Sequence, residues 1–122
     1  INTPVKDIQN DRIKYAKLTA EKFGCCVVLK GNQTVVCTKD LEVFVNTSGN
    51  SALAKAGSGD VLTGIISGLM AQGVSVENAA KLGVYLHGLC GELASQDLSL
   101  YSVLATDQID YIPQAIKKIL EA

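Results

Sequence analysis

Ala56-Gly57-Ser58-Gly59-Asp60 runs directly into Val61-Leu62-Thr63-Gly64-Ile65-Ile66. Two glycines flank a hydroxyl residue, an acid follows at once, and a helical apolar pattern begins at the acid. A glycine turn at a helix start aims several backbone N–H groups at one spot, at the positive end of the helix dipole. Such a turn is an anion site by construction. Asp60 beside it would repel a phosphate, so it suits a base that takes a proton from a hydroxyl approaching that phosphate. The plainer reading stands beside this one: Gly-Ser-Gly-Asp is also ordinary loop chemistry in which Ser or Asp caps a helix.

Working forward, the helix beginning near Gly59 runs to Gln72 and is ended by Gly73. It places Leu62, Ile65, Ile66, Leu69 and Met70 on one face. Gly64 and Gly68, four apart, predict close packing against a neighbour. Ser75 is a suitable N-cap for a second helix, with Asn78 at its third position. That helix carries Ala79, Ala80, Leu82, Gly83, Leu86, Cys90 and Leu93, too much apolar surface for an exposed element, and is expected to pack on the helix after Asp60. Residues 96–104 read as a loop, and Thr106 or Asp107 as the cap of a short turn. Pro113 opens a last helix that buries Ala115, Ile116, Ile119 and Leu120.

Working backward, residues 47–58 form a polar loop, long enough to suggest function. Val35–Thr38 and Glu42–Asn46 look like two strands of an edge hairpin, joined through Lys39-Asp40-Leu41. Cys25–Leu29 is a uniformly apolar run, the pattern of a strand buried on both faces of an α/β sheet, and Lys30–Thr34 is the polar turn that follows it. Asp11–Phe23 alternates Ile13, Ala16, Leu18 and Ala20 with lysines and Glu21, an amphipathic helix closed by Gly24. Residues 1–9 read as an extended lead-in, with Thr3 kept out of the helical region by Pro4.

The 122 residues suffice for one domain with a core, and the formal charge of −1 offers no basic field for nucleic acid. The absence of tryptophan and the few aromatics argue against base-stacking platforms of the single-strand type as well. No apolar run reaches the length of a membrane span, and a cytoplasmic location is the default expectation. Four cysteines are present without a C-x-x-C pair, and the single histidine, His87, has no ligand-spaced partner. No metal site is therefore predicted, and the cysteines read as buried reduced thiols. On a helix between Leu86 and Gly88, His87 reads as structural. The chain opens on Ile1, not Met, which suggests part of something longer.

In this order the motifs resemble a known family. Leu29-Lys30-Gly31 with Thr34, Gly49-Asn50, Ala54 through Ile66, Leu86-His87-Gly88 and Ala105-Thr106-Asp107 resemble the C-terminal half of the ribokinase-like three-layer α/β/α fold. Within that fold the Asp-Val-Leu-Thr-Gly extension resembles the NAD(P)H-hydrate dehydratase branch. The resemblance implies a repair lyase: ADP or ATP phosphorylates the ring hydroxyl of hydrated NADH or NADPH, and phosphate elimination restores the cofactor. It implies Asp60 as general base in contact with the substrate, with Gly57, Ser58 and Gly59 as the anion hole. It implies Lys30, Gly31, Asn32, Gln33 and Thr34, together with Gly59, at the nucleotide. Asn50 either touches nucleotide or braces its turn, and Lys55 is a candidate for neutralising phosphate charge. Mg2+ is expected from phosphoryl-transfer chemistry, not from any ligand cluster.

Three departures from the family pattern matter. Ala56 replaces a usual glycine, tolerable only at negative φ; Ser58 replaces the more frequent threonine and keeps the hydroxyl; and Val5 follows Thr3-Pro4 where the family has a histidine that contacts substrate. About half of the family's domain is expected to be absent from this chain. The isolated chain is accordingly expected to expose an apolar sheet edge and to self-associate. Two other functions share the same residues: a ribokinase-like kinase of a vitamin-precursor or sugar alcohol, and a catalytically silent nucleotide-binding domain.

Overall fold

The computed structural model describes residues 4–121, and its contacts divide the chain into two compact units, Ile1–Asn46 and Thr47–Ala122. The first unit holds α1 (Val5–Asn10), α2 (Arg12–Phe23) and an antiparallel sheet of β1 (Val27–Leu29), β2 (Val35–Cys37) and β3 (Val43–Val45) in the order β1-β2-β3. Asp11 caps α2 by accepting the Lys14 N–H at 3.3 Å, and Gly24, at φ +60°, closes it in the left-handed conformation. The face of α2 that meets the sheet is alanine: Ala16 and Ala20 pack on Val35 and Cys37, with Val27, Leu29 and Val43 around them. Small side chains bring helix and sheet close, and Ile13 and Leu18, expected inside, are largely exposed.

The hairpin is as expected, with Val35 opposite Val45 and Cys37 opposite Val43. Thr38 accepts Leu41 N–H through its carbonyl and Glu42 N–H through its hydroxyl, which fixes the turn. Further expectations fail in this unit. Residues 5–10 are helical, not extended, because the Pro4 carbonyl accepts the N–H groups of Asp7 and Ile8 and starts a turn. All but Ile8 of that helix is exposed, so no apolar period announced it; the reading of Thr3 lies outside the described residues. The strand expected over Cys25–Leu29 is β1, half-buried along its length, because β2 is its only strand neighbour among the described residues. Cys25 before it is exposed, whereas Cys37 and Cys90 are the buried thiols expected.

The second unit is helical: a single 3-10 turn (Ser51–Leu53), α3 (Ser58–Ala71), α4 (Val76–Leu98), α5 (Ala105–Asp110) and α6 (Ile112–Leu120). Ser75 caps α4 by accepting the Asn78 N–H at 3.3 Å, and α3 packs along α4 as expected. Leu86, Leu89 and Cys90 of α4 meet Ala115 of α6, with Ile65, Leu93, Tyr111, Ile112 and Ile119 closing the cluster. Ala52, Ala94 and Val103 form a smaller one.

The close packing predicted for Gly64 and Gly68 lies instead on α4. A Cβ on either α3 glycine would meet nothing within 4 Å, whereas one on Gly91 would meet Leu53 at 2.6 Å and one on Gly88 the Ser48 backbone at 2.8 Å. Met70 is 43% exposed and Leu120 79%, so neither joins the core expected of it. Ile116 is exposed as well. The loop expected over 96–104 begins only at Ser99, because α4 continues through Leu98. Among the described residues no helix is long and apolar enough to cross a membrane.

Candidate active site

The glycine turn forms where the sequence places it, at the start of α3. Gly57, at φ +87°, occupies the N-cap of α3 in the left-handed region, and a Cβ there would also press on Ala105 at 3.3 Å. Ala56 is not among the residues with positive φ, so its Cβ is accommodated. Ser58 N–H donates to the Lys55 carbonyl at 3.1 Å, and Val61 N–H to that of Gly57 at 3.2 Å. Between them the N–H groups of Gly59 and Asp60 are the unspent donors of the first turn. The Asp60 side chain stands exposed beside them, and no hydrogen bond or ion pair among the described residues engages its carboxylate.

Ser58 takes a different part from the one expected. With its N–H spent on Lys55, its hydroxyl turns inward, where it donates to Gln108 Oε1 at 3.2 Å and lies 3.2 Å from His87 Nε2. His87 Nε2 and Gln108 Oε1 close the triangle at 2.8 Å. Ser58 and His87 are each 6% exposed and Gln108 is fully buried. Polar groups this deep must be hydrogen-bonded or they destabilise the fold. Here α3, α4 and α5 each supply one member, so the triangle fixes the start of α3 and with it the direction of the Gly59 and Asp60 N–H groups. His87 thus ties α4 to the start of α3 and to α5. Gln108 was missed: it directly follows the Ala105-Thr106-Asp107 motif, but nothing in the residue type marks it as the buried one. Asp107 instead accepts the Leu104 N–H at 2.8 Å and caps α5 from within.

The loop before α3 is laid onto α4 by polar contacts. Ser48 donates to the Tyr85 carbonyl at 2.9 Å, and Gly49 N–H to Glu92 Oε1 at 3.1 Å. Asn50 accepts the Ala52 N–H and donates to Ser95 Oγ, each at 3.0 Å. Of the two roles open to Asn50, bracing is the one its contacts fill. Lys55 contributes its carbonyl to Ser58, and its side chain is half-buried.

In the first unit, Lys30–Thr34 forms the polar turn between β1 and β2. Thr34 closes it, its hydroxyl donating to the Gly31 carbonyl at 3.2 Å. Gln33 holds φ +58°, a left-handed conformation that costs about 1–2 kcal/mol for a residue with a Cβ. The compensation comes from Arg12, which sequence reading missed. Its guanidinium donates to the carbonyls of Leu29 at 2.7 Å, Asn32 at 2.6 Å and Gln33 at 3.2 Å. A Cβ on Gly31 would lie 2.7 Å from that guanidinium, so the glycine is what admits it. An arginine opening a helix gives no local sign that it reaches a turn 17 to 21 residues away.

Burial pushes the Cys90 thiol up to about 11. Tyr111 is raised chiefly by its hydrogen bond to Asp97, at 2.8 Å, and then by burial and nearby carboxylates. The described residues bring together no cluster of three or more His, Cys, Asp or Glu side chains placed to hold a metal ion.

A glycine turn at a helix start, braced from two neighbouring helices and followed by an exposed carboxylate, is the feature around which the sequence resembles the ribokinase-like fold, and comparison with known proteins supports that fold. The chain superposes with a TM-score of 0.90 on the ADP/ATP-dependent NAD(P)H-hydrate dehydratase of Bacillus subtilis co-crystallised with ATP and Mg2+, at 41% identity over 94% of this chain and 42% of that one. The family model for NAD(P)H-hydrate dehydratase matches residues 1–114, and the chain belongs to that family. Among curated relatives, the ADP-dependent (S)-NAD(P)H-hydrate dehydratase of Neisseria meningitidis is 43% identical over 89% of this chain and 37% of its own length. The bifunctional NAD(P)H-hydrate repair enzyme of Moorella thermoacetica is 40% identical over 99% of this chain and 23% of its own length. The chain therefore spans about two-fifths of the single-activity relatives and under a quarter of the bifunctional one.

Proposed function

We propose that this chain supplies the phosphate-handling corner of an enzyme that uses ADP or ATP to dehydrate hydrated NADH and NADPH. The observation that carries the reading is the first turn of α3, where the Gly59 and Asp60 N–H groups are unspent beside an exposed carboxylate. Asp60 takes the proton of the ring hydroxyl as that oxygen attacks the terminal phosphorus of the nucleotide. An O–P bond forms and the bond from that phosphorus to the leaving nucleotide oxygen breaks. Phosphate then departs with the electron pair of the ring C–O bond, and loss of a ring proton restores the reduced nicotinamide. The two N–H groups face the charge that develops on the transferring phosphoryl group. Most of the rate comes from positioning, since a carboxylate is a weak base.

The Lys30–Thr34 turn binds the nucleotide in this reading, and Gly57 and Ser58 serve by shaping and bracing the anion hole. Mg2+ neutralises phosphate charge in such transfers; with no carboxylate cage among the described residues, it would be held through the phosphates and water. Residues 1–122 form the C-terminal part of a single ribokinase-like domain in this reading, supported by the order of the motifs along the chain; the share of the single-activity relatives that they span supports a part of such a domain. The remainder of that domain would bring most of the substrate pocket. The exposed side chains of Phe44 and Val45 on β3 give the isolated chain an apolar surface through which copies associate; sedimentation as a stable monomer would exclude that.

The test is to incubate the full-length protein with hydrated NADH and ADP or ATP. Return of the reduced-nicotinamide absorbance with release of inorganic phosphate supports repair. A stable phosphorylated product would point to a kinase, and no nucleotide turnover to a silent binding domain.

A further inference from the structure

We infer that Arg12 is a positioning residue for nucleotide binding: it turns the Lys30–Thr34 loop so that its amide donors face a ligand. The inference rests on the assignment of this loop to the nucleotide. Arg12 lies at the first position of α2, and its two terminal nitrogens gather the carbonyls of Leu29, Asn32 and Gln33 on one side of the loop. In a trans peptide the C=O and the following N–H point in opposite directions, and the described residues contain no cis peptide. Collecting those three carbonyls therefore directs the N–H groups of Lys30, Gln33 and Thr34 away from the guanidinium.

Those donors are also unspent. The loop's own bonds use Gly31 N–H toward the Thr34 hydroxyl and Asn46 N–H toward the Thr34 carbonyl. Lys30, Gln33 and Thr34 lie outside the strand ladders, and no hydrogen bond among the described residues takes their N–H groups. A turn that directs the N–H groups of Lys30 and Gln33 away from the guanidinium, beside a lysine side chain, suits an acceptor-rich ligand, as a nucleotide with its phosphates is. Geometry also explains why the residue is arginine. One planar fork reaches three carbonyls at once through the gap left by Gly31, and a single ammonium on a lysine stem cannot span the same set. Arg12 Nε is buried with no partner, so the side chain is held for its two terminal nitrogens alone.

The test compares the full-length wild type with Arg12→Lys and Arg12→Ala, reading KM for ADP, KM for hydrated NADH, kcat and the melting temperature. Loss of the fork is expected to raise the ADP KM about tenfold or more, with kcat and the hydrated-NADH KM within about twofold. Methylguanidinium should restore ADP affinity to Arg12→Ala. Gly31→Ala, which displaces the guanidinium from the other side, should raise the ADP KM in the same selective way if the Arg12 variants do not fold. An ADP KM unchanged in a folded Arg12→Lys protein overturns the inference. So does a uniform fall in kcat and both affinities that follows the melting temperature. A wild type that binds no ADP overturns the nucleotide assignment itself, and that control distinguishes the two failures.

Discussion

Gln108 Oε1 on α5 receives His87 Nε2 of α4 at 2.8 Å inside the core, with no exposure of the glutamine. Ser58 Oγ completes the arrangement from α3, one residue before the unspent donors of the helix's first turn. Three helices are thus registered against one another by three polar atoms. The catalytic role proposed for Asp60 depends on this register, since the carboxylate itself has no brace among the described residues.

Gln108→Ala should destabilise the protein by about 2–4 kcal/mol, from a cavity plus the loss of two hydrogen bonds, set against removal of an amide nitrogen that is buried without a partner among the described residues. Urea denaturation of the full-length protein measures this. Gln108→Met, which keeps the volume and removes the bonds, should lose less stability yet still lower kcat by loosening the start of α3. Wild-type kcat in that variant would show that the triangle does not position the turn.

Asp60→Asn keeps the shape of an exposed side chain and removes the base. Stability should stay within about 0.5–1 kcal/mol, while turnover should fall by about 10²- to 10⁴-fold. Stopped-flow or steady-state assays with hydrated NADH and ADP decide it, and retention of more than a tenth of the activity would sink the general-base assignment.

Glycines of α3 and α4 should respond oppositely to alanine. Gly64 and Gly68 sit in a helix with open space where a Cβ would go, so each Gly→Ala change should add about 0.8–1 kcal/mol. Gly88→Ala places a Cβ 2.8 Å from the Ser48 backbone and should cost about 1–3 kcal/mol as the 47–53 loop is forced off α4. Melting temperatures of the three variants test the contrast.

Alkaline pH should destabilise the fold. The Cys90 thiol is raised by burial from 9.0 to about 11, so between these values the folded state holds a proton that the unfolded chain has lost. Its contribution is fully present below pH 9 and is lost as pH rises through 11, by up to about 3 kcal/mol. Tyr111, raised first by its bond to Asp97, adds in the same direction above its ordinary value. Denaturation curves from about pH 8 to pH 11 should show the decline, and Cys90→Ala should flatten it; an unchanged slope in that variant would assign the effect elsewhere.

Local chemistry made several elements legible. Gly24, Gly57 and Gly73 all have positive φ at helix ends, Ser75 caps α4, and the alternation around Lys39-Asp40-Leu41 gives the hairpin. Each is a matter of neighbours along the chain, so the residue type suffices. Burial was less legible. Ile13, Leu18, Met70, Ile116 and Leu120 fit a helical period yet lie exposed, because period marks a face without telling how much of it a short helix covers. Helix α1 has no buried residue at all and so no period to read.

The sequence by itself determined the glycine turn, the acid in the first turn of the helix after it and the order of motifs that places the chain in its family. Those properties follow from backbone conformations that few residue types can adopt and from spacing along one helix. Only the tertiary structure decided what holds the turn. Ser58 spends its hydroxyl on Gln108, His87 and Gln108 meet from separate helices, and Arg12 grips a loop far along the chain. Hydrogen bonds between distant residues depend on where the packed helices and strands bring their polar atoms, and no local pattern in the chain encodes that meeting.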